Sequence, residues 1–275
     1  MCERMDFSAE LLLQLLPELL ELAREAGDKA AAHQPSAGET VQIKGDGSPV
    51  TLADRAAHKV IMQGLNGLDP LLPVISEEGD LEGVESVRYP QFWLVDPLDG
   101  TKDFLAGLDE YTVNIALIEE GVPIMGVVVA PALGTAYFGS RGLGAYRQTG
   151  GSSAGRIFCT TKDSGRIRAA VSRSHSSQST EDYLDRLGAG ETIRSGSSIK
   201  LCLVAEGTAD VYPRLGPTSL WDTAAAVAVA REASCEVTDL KGVPLGFDPS
   251  GGILQHGFIV AAPWLLERAL SAVDK

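Results

Sequence analysis

The sequence predicts a protein of mixed α/β and α+β character, built as two closely packed lobes. Short apolar runs, which predict buried strands, end at acidic residues. In α/β folds, ligands bind at the carboxyl ends of the strands. The segment from Tyr111 to Ser140 predicts an antiparallel meander, because its apolar runs are separated by Glu-Gly, Pro and Gly turns. A Gly/Ser-rich stretch from Gln148 to Gly155 marks a boundary. We therefore predict an N-terminal lobe over residues 1–155 and a C-terminal lobe over residues 156–275.

The first predicted elements are helices. Leucines at helical spacing over Leu11–Leu22 predict an amphipathic helix that continues to about Ala32, and Pro17 must kink it or start a second helix. Its polar face is acidic, which favours packing on the core over binding to an anionic membrane surface. Thr51 opens another helix. Asp54 follows three residues later, where it can form a capping interaction or serve a catalytic role.

Two apolar runs lead into acidic residues. One short run precedes Glu77 and Glu78, and residues 92–95 form a buried run that precedes Asp96. Pro97 forbids the regular continuation of the second run, so we expect Asp96 at the carboxyl end of a strand. Tandem glutamates after a strand are commonly solvated, but this pair repeats the placement of Asp96. Glu77 is the candidate ligand, and Glu78 is the bystander.

The stretch after the second run reads Asp96-Pro-Leu-Asp99-Gly100-Thr101. Two carboxylates supply hard oxygen ligands, and the glycine lets backbone N–H groups approach an anion. This pattern indicates a site for metal and phosphate, although Asp-Gly is also a common turn and an aspartate after a strand can be only a cap. Phosphatases that form an aspartyl phosphate use a shorter Asp-x-Asp spacing. The spacing here favours direct attack by a metal-activated water.

The second lobe alternates strands and helices, beginning with a strand at residues 169–172. The turn Ser195–Ser198 precedes a helix, and a strand over residues 209–214 follows. Asp222 stands directly before an alanine-rich helix that starts at Thr223. It is either the N-cap of that helix or a carboxylate that the second lobe brings into the cleft.

Composition excludes several classes of function. A formal net charge of -14 disfavours non-specific binding of nucleic acid and requires local cations to attract a phosphorylated substrate. Without a signal peptide or an apolar run of about 18 residues, the chain is expected to be cytosolic. The 4 scattered cysteines argue against a disulfide framework or a zinc site. Carboxylates grouped in one cleft repel one another unless divalent cations neutralise them, and Mg²⁺ suits oxygen ligands and phosphate chemistry.

Two motifs resemble the signatures of the inositol monophosphatase superfamily of lithium-sensitive, Mg²⁺-dependent phosphatases: Asp96-Pro-Leu-Asp99-Gly-Thr101 and Trp221-Asp222-Thr-Ala-Ala. The resemblance covers nearly the whole chain. It implies a layered α/β/α/β/α sandwich, with an antiparallel sheet in the first lobe and a mixed sheet in the second. Further segments resemble the bacterial CysQ branch of 3'(2'),5'-bisphosphate nucleotidases, among them Ser48–Asp54, Tyr111–Ala116, Ser172–His175, Gly196–Lys200 and Leu203–Gly207.

The resemblance also implies a set of site residues around two or three Mg²⁺ ions. One ion would be held by Glu77, Asp96 and the carbonyl of Leu98. A second ion would be held by Asp96, Asp99 and Asp222, so that Asp96 would bridge the two.

The implied catalytic groups lie next to these ligands. Gly100 and Thr101 would offer backbone N–H groups to the phosphate. Thr101, held by Asp54, would act with Glu77 to orient and deprotonate the attacking water.

The implied reaction is hydrolysis of adenosine 3',5'-bisphosphate (PAP) to AMP and phosphate, with its sulfated relative PAPS as a further candidate substrate and a role in sulfur assimilation. The nucleotide would be contacted by His175, Ser197, Lys200 and Arg214. Arg214 can instead form a surface ion pair, and Ser197 can belong only to a turn. Rival functions are a phosphatase for inositol phosphates or fructose 1,6-bisphosphate, and a catalytically silent nucleotide-binding module. Monomer and homodimer both remain open, as does the association with the inner face of the cytoplasmic membrane seen in some bacterial relatives.

Overall fold

Two β-sheets organise the chain. The computed structural model describes residues 5–33, 42–43, 49–86, 88–173 and 177–273. The helices and strands up to residue 157 are α1 (Ala9–Ala31), β1 (Gln42–Ile43), β2 (Pro49–Val50), α2 (Leu52–Leu65), β3 (Val74–Ser76), β4 (Gln91–Asp99), α3 (Thr101–Leu105), β5 (Thr112–Glu119), β6 (Val122–Ala130), β7 (Thr135–Ser140), β8 (Gly144–Thr149) and β9 (Gly155–Ile157).

The later elements follow from residue 167 onward. They are β10 (Ile167–Ser172), α4 (Gln178–Leu187), β11 (Ala189–Ser195), α5 (Ile199–Ala205), β12 (Val211–Arg214), β13 (Thr218–Ser219), α6 (Ala224–Glu232), β14 (Glu236–Asp239), β15 (Leu254–Gln255), β16 (Phe258–Ala261) and α7 (Leu266–Ser271). Short 3₁₀ helices lie at Val84–Ser86, Pro249–Gly251 and Pro263–Leu265.

The first sheet has seven strands in the order β3-β4-β5-β6-β7-β8-β9. The meander predicted over Tyr111–Ser140 is confirmed as β5, β6 and β7. Neighbouring strands are antiparallel except for β3 and β4, which run parallel. The expectation of an antiparallel sheet is therefore wrong for this pair. Parallel pairing brings the carboxyl ends of two strands to the same edge of a sheet.

The second sheet has five strands in the order β11-β10-β12-β16-β14. Strand β10 is parallel to both of its neighbours, whereas β16 is antiparallel to both of its own. The expected mixed sheet is thus confirmed. The division into lobes at residue 155 stays a prediction, and the last strand of the first sheet ends at Ile157.

The helices form layers on and between the two sheets. Helices α1 and α2 pack on one face of the first sheet, α5 and α6 lie between the sheets, and α4 and α7 cover the outer face of the second sheet. Helix α6 approaches β6 so closely that a Cβ on Gly126 would lie 2.1 Å from the Ala225 carbonyl oxygen. This order confirms the layered α/β/α/β/α sandwich.

Helix α1 is continuous through Pro17. The alternative of a second helix starting at this proline is therefore wrong. Leu12, Leu16 and Leu19 are buried on either side of it, and their packing outweighs the hydrogen bond that proline cannot donate. Within the described ranges, no helix has both the length and the apolar character needed to cross a membrane.

Candidate active site

Glu77 and Asp96 are brought together by the parallel pairing of β3 and β4. Ser76 is aligned with Val95 in this pair, so the next residue of each strand emerges at the same edge of the sheet. The Glu77 N–H donates to the Val95 carbonyl at 3.1 Å and fixes this alignment. The two carboxylates therefore start from neighbouring backbone positions.

A bulge in β4 lets Asp96 and Asp99 face the same cavity. The strand does not end at Pro97, as the sequence led us to expect, but continues to Asp99. Its register against β5 shifts between Asp96, opposite Asn114, and Asp99, opposite Thr112. Proline has no N–H for the ladder, and side chains three residues apart on a regular strand would point to opposite faces. The irregular register removes that alternation and places both carboxylates together.

Gly100 turns the chain from β4 into α3. Its φ of 93° lies in the left-handed region, and a Cβ there would lie 3.3 Å from the Glu110 carbonyl oxygen. Glycine accepts this backbone conformation without steric cost. The turn leaves the N–H groups of Gly100 and Thr101 at the start of the helix, where helix geometry provides no carbonyl partner. These groups are available to an anion in the cavity.

Asp54 forms the capping interaction and also contacts the predicted catalytic residue Thr101. Its Oδ2 accepts the Thr51 N–H at 2.7 Å, and the Thr51 hydroxyl accepts the Asp54 N–H, which confirms the capping box of α2. Its Oδ1 accepts the Thr101 hydroxyl at 3.0 Å, and that hydroxyl also lies 3.2 Å from the Leu98 carbonyl oxygen. Asp54 is only 1% exposed, so it orients Thr101 from behind the cavity wall.

Asp222 is not the N-cap of α6. That position belongs to Thr223, which makes no side-chain capping bond. The Oδ2 of Asp222 accepts the Thr218 hydroxyl at 2.6 Å and the Ser219 N–H at 3.0 Å. The capping alternative is therefore wrong, because the carboxylate turns back toward the segment that precedes it. In this orientation it lines the same cavity as the acidic residues of the first sheet.

Asp99 is held by the turn between β11 and α5. Its Oδ2 accepts the Ser197 hydroxyl at 2.5 Å and the Ser198 N–H at 2.7 Å. The Ser198 hydroxyl donates to the side-chain oxygen of Asn114 at 2.8 Å. The predicted turn at Ser195–Ser198 is present, and it packs against β4 and β5 of the first sheet.

Most of the predicted site residues converge on one cavity of about 280 Å³. Those in its wall are Glu77, Asp96, Leu98, Asp99, Gly100, Thr101, Ser197, Lys200, Arg214 and Asp222. A neighbouring cavity of about 190 Å³ shares Ser172, Tyr212 and Arg214 with it. The predicted nucleotide contact His175 lies outside the described residues.

Ionisation is disfavoured at two of the acidic residues, Asp96 and Asp222. Burial, and then the charges of Glu77, Asp99 and Asp222, raise the pKa of Asp96 well above its ordinary value. Burial and the charge of Asp99 raise the pKa of Asp222 to about 7, against the opposing effect of its hydrogen bonds from Thr218 and Ser219. Positive charge placed among these groups would relieve both effects.

The donor set fits a hard divalent cation. Carboxylate oxygens and the Leu98 carbonyl are the kind of ligand that Mg²⁺ prefers. In the part of the chain that the structure describes, however, no three acidic, histidine or cysteine side chains close around one point as a complete cage. Asp99 and Asp222 are instead engaged by hydroxyl and N–H donors. The fit to Mg²⁺ thus rests on the oxygen donors of the site and on the repulsion among its carboxylates. The number of bound ions stays a prediction.

Besides Lys102, two further cationic side chains in the wall bring positive charge to this acidic cavity. Lys200 is 6% exposed, donates to the Ser197 carbonyl, and lies 5.5 Å from the centre of the Tyr212 ring. Burial lowers the pKa of Lys200 to about 8, although the charge of Asp99 acts in the opposite direction. Arg214 donates to the Pro217 carbonyl at 2.7 Å, whereas its buried Nε meets no acceptor among the described residues. A buried ammonium and an unused guanidinium donor both favour an anionic ligand.

Sequence reasoning missed several residues of this cavity, and three of them shape the site. Ser198 and Thr218 hold carboxylates, and Tyr212 forms a wall shared by both cavities. Thr218 has one local signal, since it stands four residues before Asp222, within reach of a side chain that folds back. For Ser198 the contact is made by the backbone N–H, which no residue type reveals.

Comparison with known proteins identifies the family. The sequence model described as "Inositol monophosphatase family" matches residues 12–275. The chain therefore belongs to the inositol monophosphatase family. More particularly, it is 44% identical over 248 residues to the 3'(2'),5'-bisphosphate nucleotidases CysQ of Shigella flexneri and Escherichia coli strain K12. Each alignment covers 90% of this chain and 99% of the relative.

Solved structures agree with this assignment. CysQ from Bacteroides thetaiotaomicron, a bacterial member of the family, is 39% identical with a TM-score of 0.77, over 90% of this chain and 96% of that one. An inositol monophosphatase from Thermotoga maritima is 24% identical with a TM-score of 0.77, over 93% of this chain and 94% of that one, and supports the fold alone. The predicted resemblance to the superfamily and to its CysQ branch is thus confirmed.

We expect Asp222→Asn to stabilise the metal-free protein at neutral pH. The pKa of Asp222 is about 7 in the fold, above its unfolded value of about 3.9, so its contribution to stability is full below about pH 4 and is lost as the pH rises through about 7. Thermal unfolding in EDTA should therefore show a wild-type Tm that falls between pH 5 and pH 8, and a variant Tm that falls less. The exposed Glu267 provides a control, Glu267→Gln. Equal pH dependence in wild type and Asp222→Asn would contradict this interpretation.

Proposed function

We propose that the protein is a Mg²⁺-dependent 3'(2'),5'-bisphosphate nucleotidase that converts PAP to AMP and inorganic phosphate in the cytosol. The observation that carries the proposal is a single cavity that combines the carboxylates of Glu77, Asp96, Asp99 and Asp222 with the buried ammonium of Lys200 and the unused Nε donor of Arg214. The names of the CysQ relatives support the substrate class. Bound Mg²⁺, in two or three sites, would neutralise phosphoryl oxygens and lower the pKa of the attacking water.

The chain supplies a path for the proton of that water. Because the Thr101 hydroxyl donates a hydrogen bond to Asp54, a lone pair of the Thr101 oxygen is directed elsewhere and can accept a proton from water while the hydroxyl's own proton passes to Asp54. Glu77 lines the same cavity and can orient the water from a second direction. The N–H groups of Gly100 and Thr101 can hold a phosphoryl oxygen as negative charge develops.

The second phosphate of the substrate would bind to Lys200 and Arg214. A dianion beside the buried ammonium of Lys200 would compensate the burial that now lowers its pKa. The guanidinium of Arg214 offers its unused Nε donor to phosphate oxygens. Ser197 and His175 are proposed as further contacts to the nucleotide.

The test is release of phosphate from four esters side by side, with and without Mg²⁺: PAP, PAPS, inositol 1-phosphate and fructose 1,6-bisphosphate. Mg²⁺-dependent preference for PAP would support the proposal. Preference for inositol or sugar phosphate would keep the acidic site but remove the assignment of Lys200 and Arg214. A protein that binds PAP without hydrolysing any ester would be the silent binding module.

Lys200→Ala is expected to raise the KM for PAP by about 10- to 100-fold, because a charge-assisted hydrogen bond contributes about 1.5–3 kcal/mol. The kcat should change less, since Lys200 is proposed to contact the phosphate that does not react. Hydrolysis of inositol 1-phosphate should be nearly unaffected, because it has one phosphate only. The matched control is Lys162→Ala, which removes an exposed lysine outside the cavity. Equal losses for both esters would exclude Lys200 from specificity.

A further inference from the structure

A bidentate ion pair joins the end of β10 to the loop before β5. The Nε and Nη2 of Arg173 donate to the two carboxylate oxygens of Glu110, both at 2.7 Å. The Arg173 side chain is 44% exposed and that of Glu110 is 20% exposed. A pair with this exposure adds little to global stability. Its value lies in the geometry that it fixes.

Both residues of this ion pair also form hydrogen bonds with the turn between β11 and α5. The Oε2 of Glu110 also accepts the Gly196 N–H at 2.8 Å. The Nη2 of Arg173 donates to the Arg194 carbonyl at 3.2 Å, and its backbone N–H donates to the Ser195 carbonyl at 3.1 Å. The hydrogen bonds from Arg173 hold the pKa of Glu110 below its ordinary value, with help from the Gly196 N–H and against the effect of burial.

The turn has no room to relax. A Cβ on Gly196 would lie 2.7 Å from the Glu110 carbonyl oxygen and 2.8 Å from the Asp103 Oδ2. The next residue, Ser197, has a φ of 51°, in the left-handed region that a serine rarely adopts. A backbone of this kind keeps its shape only while surrounding contacts hold it. The donors that the turn presents to Asp99 therefore depend on those contacts.

We propose that Glu110 and Arg173 are positioning residues that hold the Gly196–Ser198 turn against Asp99 and thereby set how tightly the acidic site binds Mg²⁺. The inference rests on the proposed function, in which Asp99 is a metal ligand. Neither side chain lines the cavity, so both act through the Ser197 hydroxyl and the Ser198 N–H. Without the ion pair the turn can move away from Asp99, and the carboxylate then loses the two donors that orient it. Mg²⁺ binding must then order the carboxylate again, which costs conformational entropy and weakens the binding.

The experiment measures the Tm as a function of Mg²⁺ concentration, without any substrate, for wild type, Glu110→Ala, Arg173→Ala and the double variant. We expect the Mg²⁺ dissociation constant, fitted to the rise of the Tm with Mg²⁺ concentration, to increase about tenfold in each single variant, as for other groups that orient metal ligands. The double variant should match the single ones within about twofold, because the two residues act as one unit. Glu110→Gln should raise this dissociation constant less than Glu110→Ala, since its amide oxygen can still accept the Gly196 N–H.

The control is Glu120→Gln, which removes the charge of an ion pair with Arg88 that contributes nothing to the cavity wall. A merely structural role would lower the Tm in EDTA and leave the Mg²⁺ dissociation constant unchanged, and that result would overturn the inference. If an alanine variant does not fold, Glu110→Gln and Arg173→Lys carry the same comparison. A wild type that responds to Mg²⁺ but hydrolyses no ester would refute the proposed function while leaving this test intact. Absence of any Mg²⁺ effect on the wild type would overturn the inference.

Discussion

Asp96→Asn is expected to lower kcat/KM for the preferred ester on the order of 1,000-fold, because a bound ion stabilises the transition state by several kcal/mol. Asp96 is proposed to bridge two ions, so its loss weakens both positions. Asparagine has nearly the same shape, and its side-chain oxygen can still accept the Leu98 N–H that Asp96 accepts at 3.0 Å. The substitution therefore removes charge and little else. Steady-state rates at several Mg²⁺ concentrations measure the effect.

Stability distinguishes loss of the site from loss of the fold in this variant. The charge of Asp96 is disfavoured by burial and by its acidic neighbours, so its removal should leave the Tm in EDTA unchanged or higher. Asp109→Asn, at an exposed position in the same segment, is the control and should keep wild-type rates. Activity of Asp96→Asn within about tenfold of wild type would contradict the assignment of Asp96 as the bridging ligand.

The acidic residues could be predicted because each stands at a local signal, a strand end or a helix start. The same kind of signal nevertheless had different outcomes at two positions. Asp54 forms the predicted capping box and also contacts Thr101, whereas Asp222 forms no cap. Both carboxylates stand at the start of a helix. The donors that each one meets are decided by segments far along the chain, so the local sequence leaves the alternatives open.

Features that depend on distant pairing could not be predicted from the residues alone. Asp99 and Ser197 are 98 positions apart, and only the docking of the second sheet brings them together. The parallel alignment of β3 with β4 sets Glu77 beside Asp96, yet either strand alone is compatible with an antiparallel partner. The burial of Lys200 likewise follows from packing between the sheets, because a lysine near the start of a helix is ordinarily exposed. The family resemblance grouped these residues in one site, but it gave neither the parallel pairing of β3 with β4 nor the burial of Lys200.

Thr101→Val is expected to lower kcat by about 100- to 10,000-fold, the usual range for loss of a proton-transfer group. Valine has nearly the shape of threonine but neither accepts nor donates a proton. Asp54→Asn should lower kcat by a similar factor, because an amide beside the Thr101 hydroxyl cannot take up its proton. The double variant should be no slower than the slower single variant, since the two groups act in series on one proton. Thr101→Ser should restore most of the rate.

The two contacts of Asp54 can be separated by a third substitution. Thr51→Ala removes the hydroxyl of the capping box and should lower the free energy of unfolding by about 1 kcal/mol. It also removes the hydrogen bond that the Thr51 hydroxyl donates to the Asp54 Oδ2 at 2.5 Å, but the Thr101 hydroxyl bonds to the other oxygen, Oδ1, so kcat should remain close to that of the wild type. If Asp54 acted only as a cap, Thr51→Ala and Asp54→Asn would reduce stability and activity together. A loss of kcat in Asp54→Asn without a matching loss in Thr51→Ala would assign Asp54 to the proton path. Of the two variants, only Asp54→Asn changes the carboxylate that faces Thr101.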